Sequence, residues 1–184
     1  FSLPDALPIW LSTELLDFAR LGSGHTELHF DDVDLHQILG EAEMMTMPQA
    51  RARGIEYVYE PLDCRVIVRA DPHRLQQIVL NLLTNAIKFT EPGGAIRMTC
   101  GLVSGGSAGE KRVRVSVQDT GRGIPPDPRD GIWQPFVQVG RRLNHPSECV
   151  GLGLAISRDL ARRLGGEFSV TSELGRGSEF TLTL

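Results

Sequence analysis

The 184-residue chain is long enough to bury a hydrophobic core, and its 41% hydrophobic and 23% charged residues are typical of a globular protein. Its formal net charge of −4 gives no reason to expect contact with nucleic acid or with an anionic membrane surface. No segment approaches the roughly 18 consecutive apolar residues of a membrane span. Three widely spaced cysteines without C-x-x-C spacing indicate neither a zinc site nor a disulfide framework, and favour a reducing, cytoplasmic setting.

The first 24 residues are predicted to lie outside the main domain. Residues 1–10 contain Pro4 and Pro8, which do not fit a helix interior, and are interpreted as a disordered or non-native extension. Residues 11–24 have leucines at helical spacing and stop at a Gly-Ser-Gly sequence. A helix this short is not stable alone, so the segment resembles the end of a longer helix.

Residues 25–184 predict one α+β domain. Strands are expected at 27–30, 55–59, 65–69, 95–103, 111–118, 167–171 and 178–184. Helices are expected from the N-cap Asp34 to Arg53, from the N-cap Asp71 to Gly93-Gly94, and over 152–164. Separate runs of helices and hairpins favour a two-layer α/β sandwich, with helices on one face of a mixed, mostly antiparallel sheet. Residues 125–150 are proline-rich and weakly periodic, which is typical of a lid or a binding loop.

The predicted helix that begins at Asp71 has two unlike faces. Its apolar stripe contains Leu75, Ile78, Val79, Leu82, Leu83 and Ala86. At about 100° per residue, Gln77, Asn81, Asn85 and Lys88 fall within an arc of about 80° on the opposite side. Amide oxygens suit a hard cation and a lysine suits phosphate, so this polar face predicts a site for a metal-bound polyphosphate.

Asp119 follows a predicted strand and begins a glycine-rich turn. Gly121 and Gly123 allow the backbone to come close to a flat ligand. The carboxylate of Asp119 can accept from an exocyclic amine such as that of adenine, and it repels the carbonyl of guanine. An ordinary D-x-G turn is the alternative interpretation.

Gly151 and Gly153 open the last predicted helix. The free N–H groups and the positive end of the helix dipole at that position attract phosphate, and glycine leaves the approach open. Close packing of the helix start on the sheet is the alternative. The turn at 175–178 (GRGS) is a weaker signal of the same kind.

Taken together and in this order, these stretches resemble the catalytic ATP-binding domain of sensor histidine kinases, which have the Bergerat fold and share a superfamily with DNA gyrase B and related ATPases. The matching motifs are the N box at 81–90 (NLLTNAIKFT), the G1 box at 119–125 (DTGRGIP), the F box at 133–136 (WQPF), the G2 box at 151–154 (GLGL) and the G3 turn at 175–178. The similarity spans roughly residues 34–184.

The resemblance implies ATP and Mg²⁺ as ligands and a role for each matching residue. Asn81 would ligate Mg²⁺, Asn85 and Lys88 would contact phosphates, and Asp119 would accept from adenine. The residues implied in catalysis are Asn81, Lys88 and Gln77. The residues implied in nucleotide binding are Asn81, Asn85, Lys88, Phe89, Asp119, Gly121, Gly123, Ile124, Phe136, Gly151, Leu152, Gly153 and Leu154, those from 152 to 154 through their backbone amides. The segment from Trp133 to Phe136 would anchor the lid to neighbouring helices.

Gln77 separates the two branches of this superfamily. The ATPase branch has a glutamate four residues before the metal-binding asparagine, where it activates water as a general base. A neutral amide cannot take that proton, so transfer of the γ-phosphoryl group to a protein side chain is favoured over hydrolysis.

The resemblance also implies partners. Residues 11–24 are similar to the end of the dimerisation hairpin, and none of the five histidines has the context of a phosphoacceptor, which is therefore expected upstream of residue 1. A response-regulator or receiver domain is the expected downstream partner, and the parent protein could be anchored in the inner membrane. The alternatives are an ATPase of the same superfamily or a degenerate nucleotide-binding module, since Cys149 and Val150 replace the glycine and small hydroxyl residue usual before the G2 box.

Overall fold

The computed structural model describes residues 27–105, 111–125, 131–135 and 151–184. The predicted segments 1–10 and 11–24 lie outside these residues. So do most of the predicted lid 125–150, Phe136, Cys149 and Val150.

Seven strands and three α-helices are present in the described part of the chain. The strands are β1 (Asp31–Asp34), β2 (Glu56–Glu60), β3 (Ile67–Ala70), β4 (Ala95–Ser104), β5 (Lys111–Asp119), β6 (Glu167–Glu173) and β7 (Gly177–Thr183). The helices are α1 (Leu35–Ala52), α2 (Pro72–Phe89) and α3 (Gly153–Arg163), with a short 3₁₀ helix at Gly131–Trp133. The main sheet has the order β2-β4-β5-β7-β6, and β1 pairs with β3 in a small sheet of its own.

The main sheet is mixed and has one apolar face. β2 runs parallel to β4, and the remaining neighbours are antiparallel. Met98 and Val117 are paired across β4 and β5, and both are buried. Their chain neighbours Arg97 and Gln118 are exposed, because successive side chains in a strand point to opposite faces. The helices pack on the apolar face, which confirms the two-layer α+β prediction.

Both predicted N-caps are confirmed. The Asp34 carboxylate accepts from the His36 N–H at 3.1 Å and starts α1, which ends just before Gly54, where φ is +67°. The Asp71 carboxylate accepts from the Arg74 N–H at 3.0 Å, and Pro72 occupies the first turn of α2. α2 ends at Phe89 rather than at Gly93-Gly94, because Thr90 has left helical geometry, with a ψ of 131°.

The predicted strand at 27–30 is wrong, and the strand that forms is the next one, β1. Asp32 lies directly opposite Arg69 of β3, and their side chains are 3.4 Å apart. At residue 29 the backbone N–H donates to the Asp71 carboxylate at 2.9 Å instead of to a strand partner. Cross-strand charge pairs therefore favour a strand in an acidic run that has no hydrophobic alternation.

The apolar stripe of α2 is buried as predicted. Leu75, Ile78, Val79, Leu82, Leu83 and Ala86 are each at most 4% exposed, and Ile87 joins them. α2 packs against α1 and against α3, so it is the central helix of the layer. This packing fixes its rotation about its own axis and keeps the opposite face away from the core.

We expect Asp71→Ala to lower the free energy of unfolding by about 1 kcal/mol or more, because it removes an N-cap and the acceptor for the His29 N–H. Asp71→Asn keeps an acceptor oxygen and should lose less. Urea unfolding followed by circular dichroism measures both variants.

The loss of unfolding free energy in Asp71→Ala should also depend on pH. Burial raises the pKa of Asp71. The N–H groups of His29 and Arg74 and the charge of Arg74 lower it by more, so the pKa of this carboxyl lies below its ordinary value. Because its pKa is lower in the folded state than in the unfolded state, ionised Asp71 stabilises the fold fully at any pH above the unfolded-state pKa. This stabilisation is lost as the pH falls through the folded-state pKa. The deficit of Asp71→Ala should therefore shrink in acid. A deficit that is the same in acid and at neutral pH would contradict this role.

Candidate functional site

The polar face of α2 is half-buried along its whole length. Gln77, Asn81, Asn85 and Lys88 are each neither fully exposed nor part of the core. Asn81 meets the start of α3, and Phe89 at the end of the helix meets the turn that follows β5. α2 therefore brings together the two glycine-rich segments that were singled out in the sequence.

Asn81 has a defined amide orientation. Its Nδ2 donates to the Gly153 carbonyl at 3.3 Å and contacts the Ser157 hydroxyl at 3.2 Å. A carbonyl oxygen can only accept, so the nitrogen and not the oxygen of the amide must face α3. The Oδ1 atom is consequently the end of the amide that is available to a ligand.

The start of α3 differs from the starts of the other two α-helices in the described residues. Aspartates cap α1 and α2, whereas the N-cap of α3 is Leu152, which makes no capping hydrogen bond through its side chain. Leu152 is fully buried, and its apolar side chain has no atom that could accept from the first-turn N–H groups. Uncapped first-turn N–H groups, such as those of Gly153 and Leu154, are a site for an anion.

Gly151, just before α3, and Gly153, its first residue, differ in whether the fold requires glycine there. Gly151 has a φ of +77°, a conformation that other residues rarely adopt. A Cβ on Gly153 would lie 3.7 Å from the nearest atoms, which belong to the side chain of Asn81, and this is an ordinary contact. Packing of α3 on the sheet therefore does not require glycine at 153.

Asp119 is a buried carboxylate at the end of β5. It is 6% exposed, and its Oδ1 accepts from the Gly121 N–H at 2.8 Å. Burial raises its pKa, and the backbone N–H groups of Gly121 and Ser178 offset only part of that rise. A carboxylate that is desolvated in this way has a strong tendency to accept a further hydrogen bond.

The turn after Asp119 packs tightly against protein backbone. A Cβ on Gly121 would collide with the Phe89 carbonyl, and one on Gly123 would collide with the Glu173 carbonyl. The Ile124 N–H donates to the Ser172 hydroxyl at 2.8 Å. Close backbone contact accounts for both glycines, so they build the wall beside Asp119 whether or not a ligand is bound.

Two cations lie near the Phe89 ring. The Lys88 ammonium is 5.0 Å and the Arg122 guanidinium carbon is 4.6 Å from the ring centroid. Arg122 was not predicted as a site residue, because its position depends on the contact of the turn with α2. Its only sequence signal is that it lies between the two glycines.

Gln77 lies beside Arg74, which was not predicted as a site residue either. The Arg74 guanidinium donates to the Gln77 Oε1 at 3.0 Å. Their spacing of three residues on one helix was the signal that could have identified the pair.

Trp133 packs on the sheet as well as on a helix. Its ring lies edge-on to Phe168 of β6, with centroids 5.4 Å apart, and to Phe180 of β7 at 6.5 Å. The Arg158 guanidinium of α3 lies 5.0 Å from its ring. The sequence predicted contact of this segment with helices only, and did not predict that Trp133 also packs against two aromatic residues of the sheet.

Within the described ranges, no three His, Cys, Asp or Glu side chains are grouped so that they could hold a metal ion. None of the helices in the same ranges has both the length and the hydropathy that a membrane span requires.

Comparisons with known proteins agree on one family. Residues 70–184 match the model of the family described as histidine kinase-, DNA gyrase B-, and HSP90-like ATPase. The sensory/regulatory protein RpfC of Xanthomonas campestris pv. campestris is 34% identical over 176 residues, which are 95% of this chain and 24% of RpfC. The aerobic respiration control sensor protein ArcB of Escherichia coli K12 is 35% identical over 176 residues, which are 93% of this chain and 22% of ArcB.

Two solved structures are similar in fold. Full-length ShkA in complex with AMPPNP has a TM-score of 0.80 at 39% identity, with 94% of this chain and 34% of that chain covered. The catalytic domain of the histidine kinase ThkA has a TM-score of 0.71 at 26% identity, covering 85% of this chain and 95% of that one. The present chain spans only about a quarter of the length of RpfC and ArcB.

We expect Gly121→Ala to lower the free energy of unfolding by about 1–3 kcal/mol, because the new methyl group overpacks against the Phe89 carbonyl. Gly40→Ala is the matched control. Gly40 lies inside α1, and a methyl group added there would meet no neighbouring atom within 4 Å, so alanine should stabilise the protein by about 0.5–1 kcal/mol. Urea unfolding measures both, and shifts of the same sign would contradict the close-contact explanation.

Proposed function

The chain belongs to the family of histidine kinase-, DNA gyrase B- and HSP90-like ATPases, and on that premise we propose that it binds Mg·ATP along α2 as the catalytic domain of a sensor histidine kinase. The observation that carries the proposal is the combination of an oriented Asn81 amide with an uncapped helix start beside it. The Asn81 amide presents an oxygen to a cation, and the start of α3 presents N–H groups to an anion. A metal-bound triphosphate has both charges next to each other.

The residues present fit Mg²⁺. This cation commonly keeps several waters and is held by one or two protein oxygens together with substrate phosphates. Asn81 offers one such oxygen, because its Nδ2 is committed to Gly153 and Ser157. When bound, Mg²⁺ neutralises charge on the transferred phosphoryl group. Asn85 and Lys88 follow on the same face of α2, where they would bind phosphate oxygens.

Asp119 supports adenine as the base. Its buried carboxylate would accept from the exocyclic amine and would repel the carbonyl that guanine has in that position. Gly121, Gly123 and Ile124 form the adjoining wall, and Phe89 would pack beside the nucleotide. Gly151 and the amides of Leu152, Gly153 and Leu154 would hold the phosphate chain.

Gln77 supports a kinase over a hydrolase. A neutral amide cannot remove a proton from water, and its oxygen already accepts from Arg74. The chain would therefore position and hold the γ-phosphoryl group for a protein acceptor. We propose that this acceptor is a histidine on a dimerisation hairpin and that a response-regulator domain receives the phosphoryl group next. Use of ATP would place the domain in the cytoplasm.

Calorimetry should detect Mg·ATP binding by the 184-residue chain and much weaker binding of Mg·GTP. Asp119→Asn should lose about 10- to 100-fold in ATP affinity, since a hydrogen bond to a charged group contributes about 1.5–3 kcal/mol. Circular dichroism confirms that the variant is folded. Unchanged ATP affinity in folded Asp119→Asn would refute the adenine contact, and absence of binding by the folded wild type would refute the function.

The histidine acceptor is tested with radiolabelled ATP. The 184-residue chain alone should remain unlabelled, because none of its five histidines is the proposed acceptor. The full-length protein should acquire an acid-labile, base-stable label typical of phosphohistidine, and Asn81→Ala in that protein should lose it. Label on the 184-residue chain itself would show that the acceptor assignment is wrong.

A further inference from the structure

Ser157 is a buried polar residue that contacts Asn81. It is 0% exposed and lies in α3, one helical turn after Gly153. Its hydroxyl oxygen is 3.2 Å from the Asn81 Nδ2, and the Gly153 carbonyl is 3.3 Å from the same nitrogen. Two groups on one face of α3 therefore hold a single N–H₂ group of α2.

The two contacts have different effects on Asn81. The carbonyl determines which end of the amide faces α3, because it can only accept. At 3.3 Å this bond is long, and the terminal torsion of an asparagine side chain is broad, so one such bond leaves the amide free to swing. The second hydrogen bond, from the Asn81 Nδ2 to the Ser157 hydroxyl, restricts that torsion. The opposite end of the amide, Oδ1, is then held in one direction.

We propose that Ser157 is a positioning residue that holds the Asn81 amide with its oxygen directed to the metal of Mg·ATP; this rests on the proposed function. Ser157 does not touch the nucleotide. Its loss weakens the coupling between metal and nucleotide, while the nucleotide's own contacts with Asp119 and the start of α3 remain. A hydroxyl that served only to join α2 to α3 would affect nucleotide binding with and without metal alike.

The test separates these two roles by measuring ATP affinity with Mg²⁺ and with a chelator. Wild type should bind more tightly with Mg²⁺, and the ratio of the two affinities is the metal enhancement. Ser157→Ala should reduce this ratio about tenfold, as loss of an outer-shell partner of a metal ligand commonly does. Its affinity in chelator should stay close to that of wild type, because the nucleotide's proposed contacts with Asp119 and the start of α3 are unchanged.

Three further variants complete the test. Ser157→Thr keeps the hydroxyl and should recover most of the enhancement. Ala161→Gly weakens α3 at a buried position one turn further on and should leave the ratio unchanged. Asn81→Ala should abolish the enhancement, and adding Ser157→Ala to it should change nothing more.

The outcomes are distinguishable. A wild type that binds no nucleotide overturns the proposed function and this inference with it. A wild type with metal enhancement that Ser157→Ala leaves intact overturns the positioning role alone. Equal losses with Mg²⁺ and in chelator assign Ser157 to helix packing and also overturn it.

Discussion

The fold depends on one helix that must be buried on one side and open on the other. Ile78, Leu82 and Leu83 of α2 are at most 1% exposed, and burying a side chain of this size contributes about 1.5–3 kcal/mol. Rotating α2 to hide Asn81 would expose this stripe, so the polar face is held open by hydrophobic packing on the other side. A site can persist there without stabilising contacts of its own, because the core fixes its position.

Backbone hydrogen bonds position the Asp119 side of the site. The carbonyl of Phe89, at the end of α2, accepts from the Arg122 N–H at 3.3 Å, and the Arg122 carbonyl accepts from the Gly175 N–H at 2.8 Å. The end of α2, the turn after β5 and the turn between β6 and β7 are joined in this way. Asp119 lies at this junction, and its burial follows from it. The position of its carboxylate is therefore set by main-chain atoms, which move less than side chains do.

Local chemistry made much of the fold predictable, and long-range contacts account for what was missed. Asp34 and Asp71 identify their helix starts within a few residues of sequence, and the stripe of α2 follows from periodicity alone. β1 was missed because its strand character comes from pairing with β3, including the Asp32–Arg69 pair, whose residues are more than 30 positions apart in the chain. The contact of Asn81 with Ser157 spans 76 residues and has no local signature. Sequence could place the site residues on α2 but could not show what orients them.

The uncapped start of α3 links ligand binding to helix order. The N-cap residue Leu152 provides no side-chain hydrogen bond to the first turn of α3, so we expect this end to fray more readily in the free domain than the capped ends of α1 and α2. An anion bound there completes the turn, and part of its binding free energy is used to order the backbone. Ser157 and the Gly153 carbonyl belong to this helix and hold Asn81. If the proposed Mg·ATP complex forms, phosphate bound at the start of α3 would stabilise the helix that holds Asn81. The phosphate and metal ends of the ligand would then bind cooperatively without movement of the core.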